Sequence, residues 1–380
     1  PGFERTVFVR AIDFYNTREF LLHDGRLVPI DKPSDAHFEF WCERVLIELR
    51  SDWTIGKHTW PKGSLLVGDA AAYAQGKRDL EALFTPTPTR SLGSFIATRS
   101  AVLLTVLDNV ASRVEEWTHT GTRWQQRTVD APPAGTLSIT SLHEPEVRDD
   151  PLAESYFVGY TDFLTPDSLL LGTTGTDRRE LLKARPSFFD TAGMHVERRF
   201  AKSKDGTRVP YFIVWPKGAQ PDGANPTILY GYGGFEVSMQ PFYSGAMGRA
   251  WTSRGGAWVL ANIRGGGEFG PGWHQAAQKH DRQRAFDDFA AVAEDLIATK
   301  VTSARHLGIQ GGSNGGLLVG TVMLQRPELF NAVDCEVPLL DMRRYHKLLA
   351  GASWMAEYGD PDQPQDWATL AKYSPYQNVR

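Results

Sequence analysis

Gly311-Gly312-Ser313-Asn314-Gly315-Gly316 contains the pattern G-x-S-x-G, in which a serine can sit at the tip of a tight strand-to-helix turn with its hydroxyl exposed. Such a turn brings neighbouring backbone so close that a side chain two residues either side would collide with it, and glycine removes the collision. A helix beginning at Asn314 would aim its unpaired N–H groups and positive dipole end at the place where an oxyanion forms. With 36 glycines in the chain, the bare pattern carries little weight. Its placement carries more: the β-type run His306-Leu307-Gly308-Ile309-Gln310 precedes it, and an apolar helical stretch follows and stops near Arg326-Pro327. The competing reading is a glycine-rich turn with a bystander serine.

A second glycine cluster, Tyr230-Gly231-Tyr232-Gly233-Gly234-Phe235, ends an earlier strand. In α/β-hydrolases the loop at this position supplies the other oxyanion donor; without Ser313 it would read as a tight aromatic-glycine turn. Gly265-Gly266-Gly267-Glu268-Phe269-Gly270 satisfies G-x-G-x-x-G but does not suit a dinucleotide. Pro271-Gly272 interrupts the helix that should follow at once, and Asp287-Asp288 fall on a helix rather than at a strand end. His274 and His280 stand six apart without an H-E-x-x-H pattern, so they read as surface or hydrogen-bonded histidines and no metal is expected.

The elements that must hold these residues change character along the chain. Up to about Arg185, short runs such as Thr6-Val7-Phe8-Val9, Phe20-Leu21-Leu22, Val45-Leu46-Ile47-Glu48-Leu49 and Val102-Leu103-Leu104-Thr105-Val106 alternate with turn signals. Those signals include Asp24-Gly25, Pro61-Lys62-Gly63 and Pro132-Pro133, which predicts antiparallel β structure. A sandwich, a barrel or propeller blades would all give this pattern, and blades of roughly 40–50 residues would make about four of them. Beyond Arg185, strands alternate with helices, as in a mostly parallel sheet wrapped by helices. Tyr211–Trp215, Thr227–Tyr230, Trp258–Ile263 and Ala332–Val337 read as strands. Phe286, Phe289, Val292, Ala293, Leu296 and Ile297 recur at three- and four-residue steps, predicting an amphipathic helix over Arg284–Thr299. The boundary is expected near residue 188, with an all-β domain over 1–188 and an α/β-hydrolase domain over 189–380.

Bulk composition excludes several classes. A net charge of −4, with 41 basic against 45 acidic residues interspersed, gives no surplus for nucleic acid. No apolar run approaches the roughly 18 residues needed to span a bilayer, so no membrane partner is expected. Cys42 and Cys335 show neither disulfide-framework nor metal spacing and are expected to be buried as small hydrophobes. The opening Pro1-Gly2-Phe3-Glu4-Arg5 is unlike a signal peptide and lacks an initiator Met. The chain is therefore expected to be a piece of a longer protein whose targeting signal could have been lost, so that a periplasmic or secreted location stays open beside the favoured cytoplasmic one; a monomer is favoured, with the oligomeric state open.

These motifs, taken in order, resemble the prolyl oligopeptidase family of serine peptidases. The resemblance runs from Lys204-Asp205-Gly206 through Tyr230–Phe235, Ala261-Asn262-Ile263-Arg264-Gly265-Gly266-Gly267-Glu268 and Gly311–Leu318 to Lys372-Tyr373-Ser374-Pro375, about half the chain. Tyr160-Thr161-Asp162-Phe163-Leu164-Thr165-Pro166 resembles, more weakly, the end of that family's seven-bladed propeller. The resemblance implies an α/β-hydrolase domain preceded by part of a propeller. It makes Ser313 the nucleophile, with the Asn314 backbone N–H and the Tyr232 hydroxyl as the oxyanion hole. It places Phe235, Trp354 and Tyr358, with Leu339 as a further wall, around a substrate proline; on one helix, Trp354 and Tyr358 would share a face. It implies cleavage of small proline-containing peptides with neither cofactor nor metal.

The family's acid and histidine would lie beyond Arg380. The one histidine after Ser313, His346, follows too few strands to be the base in the order Ser, acid, His. The 380 residues alone are therefore expected to be inactive. A hydrolase of other specificity (basic-site oligopeptidase, dipeptidyl peptidase or esterase) remains open, as does a noncatalytic propeller-bearing interaction protein.

Overall fold

A computed structural model describes residues 2–130 and 135–379, and the turn expected at Pro132-Pro133 lies outside the described residues. The chain forms two compact units. One comprises the residues up to Thr161 with Asp167–Arg185 and Phe269–Gly272; the other comprises Asp162–Pro166, Pro186–Glu268 and the residues from Trp273 onward.

The first unit is a succession of antiparallel meanders. A three-stranded sheet (Val7–Ala11, Thr17–His23, Arg26–Pro29) is followed by three four-stranded ones. These run over His37–Trp41 to Leu80–Phe84, Arg90–Ala97 to Trp124–Val129, and Thr136–Ser141 to Arg179–Ala184, each in sequence order apart from a small Trp53–Ile55/His58–Trp60 hairpin. Successive small meanders of this kind are propeller blades. The packing explains why their strands lack a polar face. In Ala101–Asp108, Val102, Leu104 and Val106 enter one hydrophobic cluster while Ala101 and Leu103 enter the next. Both faces of the strand are therefore covered, and a continuous apolar run replaces the alternation of a half-exposed strand.

The second unit is an α/β-hydrolase sheet of six strands in the order His195–Lys202, Arg208–Trp215, Ala257–Ala261, Thr227–Tyr230, Leu307–Gly312, Ala332–Glu336. The first two are antiparallel to their neighbours and the rest run parallel. Among the described residues Ala332–Glu336 has a single neighbour, and its flank carries the exposed Val333 and Val337. The Gln283–Ala298 helix buries Phe286, Phe289, Val292, Ala293 and Leu296 in the core; Ile297 is only partly buried.

Three expectations need correction. The strand expected over Trp258–Ile263 ends at Ala261, because the chain turns there to bury Arg264 against Asp288. Trp354 and Tyr358 do not share one helix: Gly351–Trp354 is a 3-10 turn and Met355–Tyr358 a separate four-residue helix. The Ser353 hydroxyl bonds back to the Ala350 carbonyl at 2.7 Å, and Gly359, at φ 100°, stops the helix after Tyr358. Finally, Cys42 and Cys335 are free and half-buried rather than buried.

Candidate active site

Ser313 stands between the Leu307–Gly312 strand and the Asn314–Gln325 helix with φ 56° and ψ −115°. A residue with a Cβ adopts positive φ at a cost of order 1 kcal/mol or more, so the conformation must be imposed by its surroundings. The Ser313 N–H is held by the Glu336 carbonyl at 3.0 Å. A Cβ on Gly311 would lie 2.3 Å from the Gly315 oxygen, and one on Gly315 would lie 2.6 Å from the Gly231 oxygen. The glycines expected from the motif are thus required by backbone contact on both sides of the serine. Ser313 itself is exposed, whereas the helix behind it is buried from Asn314 through Val322.

Burial raises the Tyr232 hydroxyl pKa above the usual phenol value, outweighing the lowering influence of nearby Ser313, so it remains a proton donor at neutral pH. The Tyr232 carbonyl accepts from the Asn314 side-chain amide at 2.6 Å, which ties the loop to the first helical residue. Tyr358 donates its hydroxyl to Asn314 Oδ1 at 2.7 Å and meets Phe235 edge to face, with ring centroids 5.6 Å apart and planes at 86°. Direct contacts therefore gather Ser313, Asn314, Tyr232, Tyr358 and Phe235. Trp354 and Leu339 are half-buried against the same hydrophobic core.

Arg282 and Glu357, which carried no signal in the sequence, and His274, read there as a surface or hydrogen-bonded histidine and found buried and hydrogen-bonded, sit beneath this group. Glu357 Oε1 accepts from the Phe235 N–H and from Arg282, both at 3.0 Å, while Oε2 faces His274 Nε2 at 2.7 Å. The second arm of the Arg282 guanidinium reaches Asn314 Oδ1. Arg282, Glu357, His274 and Asn314 are all 0% exposed. Their burial is a tertiary outcome: Asp281-Arg282-Gln283-Arg284 reads as a solvated helix start, and only the position of Glu357 beside Tyr358 could have drawn notice.

The glycine-rich Gly265–Gly270 segment closes on itself. Glu268 Oε1 accepts the Met239 N–H at 2.8 Å and the Asn262 amide at 3.3 Å, and the Gly265 carbonyl accepts the Glu236 N–H at 3.1 Å. Full burial raises the Glu268 carboxyl from its ordinary 4.5 to about 7. The unfolded chain then releases this proton near pH 4.5 and the native chain near pH 7. The stabilising share is complete below the lower value and is lost as pH rises through the higher one, by roughly 3 kcal/mol at most. Glu268→Gln keeps an acceptor without the charge. Its thermal midpoint should match the parent's at pH 4.5 and exceed it at pH 8; parallel pH profiles for the two proteins would refute the assignment.

His346, Asp360 and Asp362 offer ligand atoms within 4.8 Å of one another. His346 Nε2 lies 3.0 Å from Asp362, however, and the Lys347 ammonium 3.1 Å from the same carboxylate already supplies the cation this cluster faces.

Residues 244–380 match the family model described as "Prolyl oligopeptidase family". An uncharacterized peptidase of Sinorhizobium fredii is 44% identical over 379 residues, covering 98% of this chain and 51% of that protein. A prolyl endopeptidase of Elizabethkingia meningoseptica is 39% identical over 225 residues, covering 59% of this chain and 32% of its own length. Among solved structures, a post-proline cleaving enzyme from Rickettsia typhi superimposes with a TM-score of 0.89 at 38% identity, covering 99% of this chain and 55% of that one. The chain spans about half the length of the first curated relatives it matches. Elbow, sheet order, blades and sequence similarity agree in likening this chain to the prolyl oligopeptidase family of serine peptidases, whose model residues 244–380 match.

Proposed function

We propose that the full-length protein is a serine endopeptidase that hydrolyses short peptides on the carboxyl side of proline. The observation that carries this reading is the edge-to-face Phe235–Tyr358 pair, joined through the Tyr358 hydroxyl to the residue that follows Ser313. An aromatic wall is thereby fixed to the nucleophile's own turn. Proline is flat, apolar and rigid, so aromatic faces from Phe235, Tyr358 and Trp354, with Leu339 beside them, cover it with little loss of conformational freedom.

In the proposed reaction the Ser313 hydroxyl oxygen attacks the proline's own carbonyl carbon, and its proton passes to a histidine. The Asn314 N–H and the Tyr232 hydroxyl receive the negative charge that develops on the carbonyl oxygen. The histidine then protonates the departing amine, leaving Ser313 acylated, and water repeats the sequence to release the acid. We assign that histidine and its orienting carboxylate to the remainder of the full-length protein, since His346 is engaged with Asp362 and the relatives are about twice as long. The proposed partners are small proline-containing peptides; the post-proline cleaving enzyme of Rickettsia typhi, similar along this whole chain, supports the choice.

The test compares one blocked peptide carrying Pro or Arg before the scissile bond. kcat/KM should favour Pro by at least about 10²-fold, because a buried guanidinium without a partner costs several kcal/mol. Equal or better cleavage after Arg would remove the proline assignment. A strong preference for simple esters over both peptides would move the protein to the esterases.

A further inference from the structure

Glu357, Arg282 and Asn314 form a closed clamp around the Tyr232–Phe235 loop. At one end the Asn314 amide holds the Tyr232 carbonyl at 2.6 Å; at the other the Glu357 carboxylate holds the Phe235 N–H at 3.0 Å. Arg282 joins the two ends, donating to Glu357 with one arm and to Asn314 with the other. His274 braces the far oxygen of Glu357 at 2.7 Å. The loop so held carries Phe235 at φ 56°, a conformation that needs support from outside the loop. A fully buried carboxylate persists only when its oxygens are satisfied, and here three donors meet the two oxygens of Glu357.

We propose that Arg282 and Glu357 are positioning residues that fix the Tyr232 hydroxyl over Ser313 and the Phe235 ring against Tyr358 as one rigid piece. This inference rests on the assignment of Ser313 as nucleophile but not on proline specificity. Through the clamp, the donor that faces the oxyanion and the ring that faces the substrate cannot move independently. Ordering the pocket side orders the oxyanion side, and loosening either loosens both. Neither residue touches the reacting atoms; each acts through Tyr232 and Asn314.

A mutant cycle in the full-length protein tests this. Arg282→Met with Glu357→Leu removes both charges together, so that neither is left buried alone. Glu357→Gln is the conservative companion and carries the cycle if the paired variant does not melt cooperatively. Each is combined with Tyr232→Phe and assayed on a proline peptide and on p-nitrophenyl acetate, which needs no proline pocket. The paired variant should lower kcat about 10- to 100-fold in the parent background, and Glu357→Gln less. In the Tyr232→Phe background either change should cost less than about 3-fold, because the hydroxyl it orients has gone. Fully additive losses of kcat, or a lowered melting temperature with kcat intact, would show the network to be structural only. Coupling on the ester alongside poor cleavage after proline would retain the clamp and remove the proline reading. A parent without Ser313-dependent turnover of either substrate would overturn both.

Discussion

Ser313→Ala in the full-length protein should lower kcat by on the order of 10⁶-fold, the scale on which removal of the nucleophile disables serine peptidases. The size follows from the absence of a substitute: without the hydroxyl oxygen there is no acyl-enzyme, and only the residual effects of binding and the oxyanion donors remain. The fold should survive. Alanine keeps the Cβ that serine already places at φ 56°, and the N–H bond to the Glu336 carbonyl does not involve the side chain. Melting temperature and affinity for a proline peptide should therefore stay near the parent's while turnover disappears. A loss of less than about tenfold would remove Ser313 from the mechanism.

Tyr232→Phe should lower kcat by about 10²–10³-fold with KM changed much less, since one oxyanion donor is withdrawn from a preorganised site and the ring is kept. The substitution keeps the ring and the Tyr232 carbonyl's bond to the Asn314 amide, and withdraws only the hydroxyl donor proposed for the oxyanion. Burial keeps the phenol protonated across the neutral range, and the parent's pH profile should show no ionisation of this group there. Steady-state kinetics on one proline peptide settles the point: an unchanged kcat would make Tyr232 a wall of the loop and nothing more.

The elbow is legible because its pattern is local: strand, glycine-flanked serine and helix succeed one another in the sequence, even though the contact that demands Gly315 comes from distant Gly231. The amphipathic Gln283–Ala298 helix was legible for the same reason, its apolar positions recurring with the helical period. Blades could be anticipated from the spacing of apolar runs, but no repeat shows, because covering both faces of a strand such as Ala101–Asp108 requires only apolar side chains and not particular ones. The four-residue spacing of Trp354 and Tyr358 suggests one helix, but the chain changes from a 3-10 turn to an α-helical turn between them, a local switch that the spacing does not reveal. The clamp lay beyond reading altogether. Arg282 and Glu357 are 75 positions apart, Arg282 sits in a charged stretch that looks solvent-facing and Glu357 among pocket aromatics, and what joins them is burial supplied by the whole sheet.

The Ala332–Glu336 strand has a bearing on how steadily the nucleophile is held. Two carboxylates on it, Asp334 and Glu336, are both held by the Gln310 amide, at 3.0 and 3.2 Å, and Gln310 belongs to the parallel strand that leads into Ser313. The Glu336 carbonyl in turn accepts the Ser313 N–H. Side chains and main chain thus lash the two strands together on both sides of the strained turn, so that the serine is mounted on a doubled beam rather than on the tip of a single one.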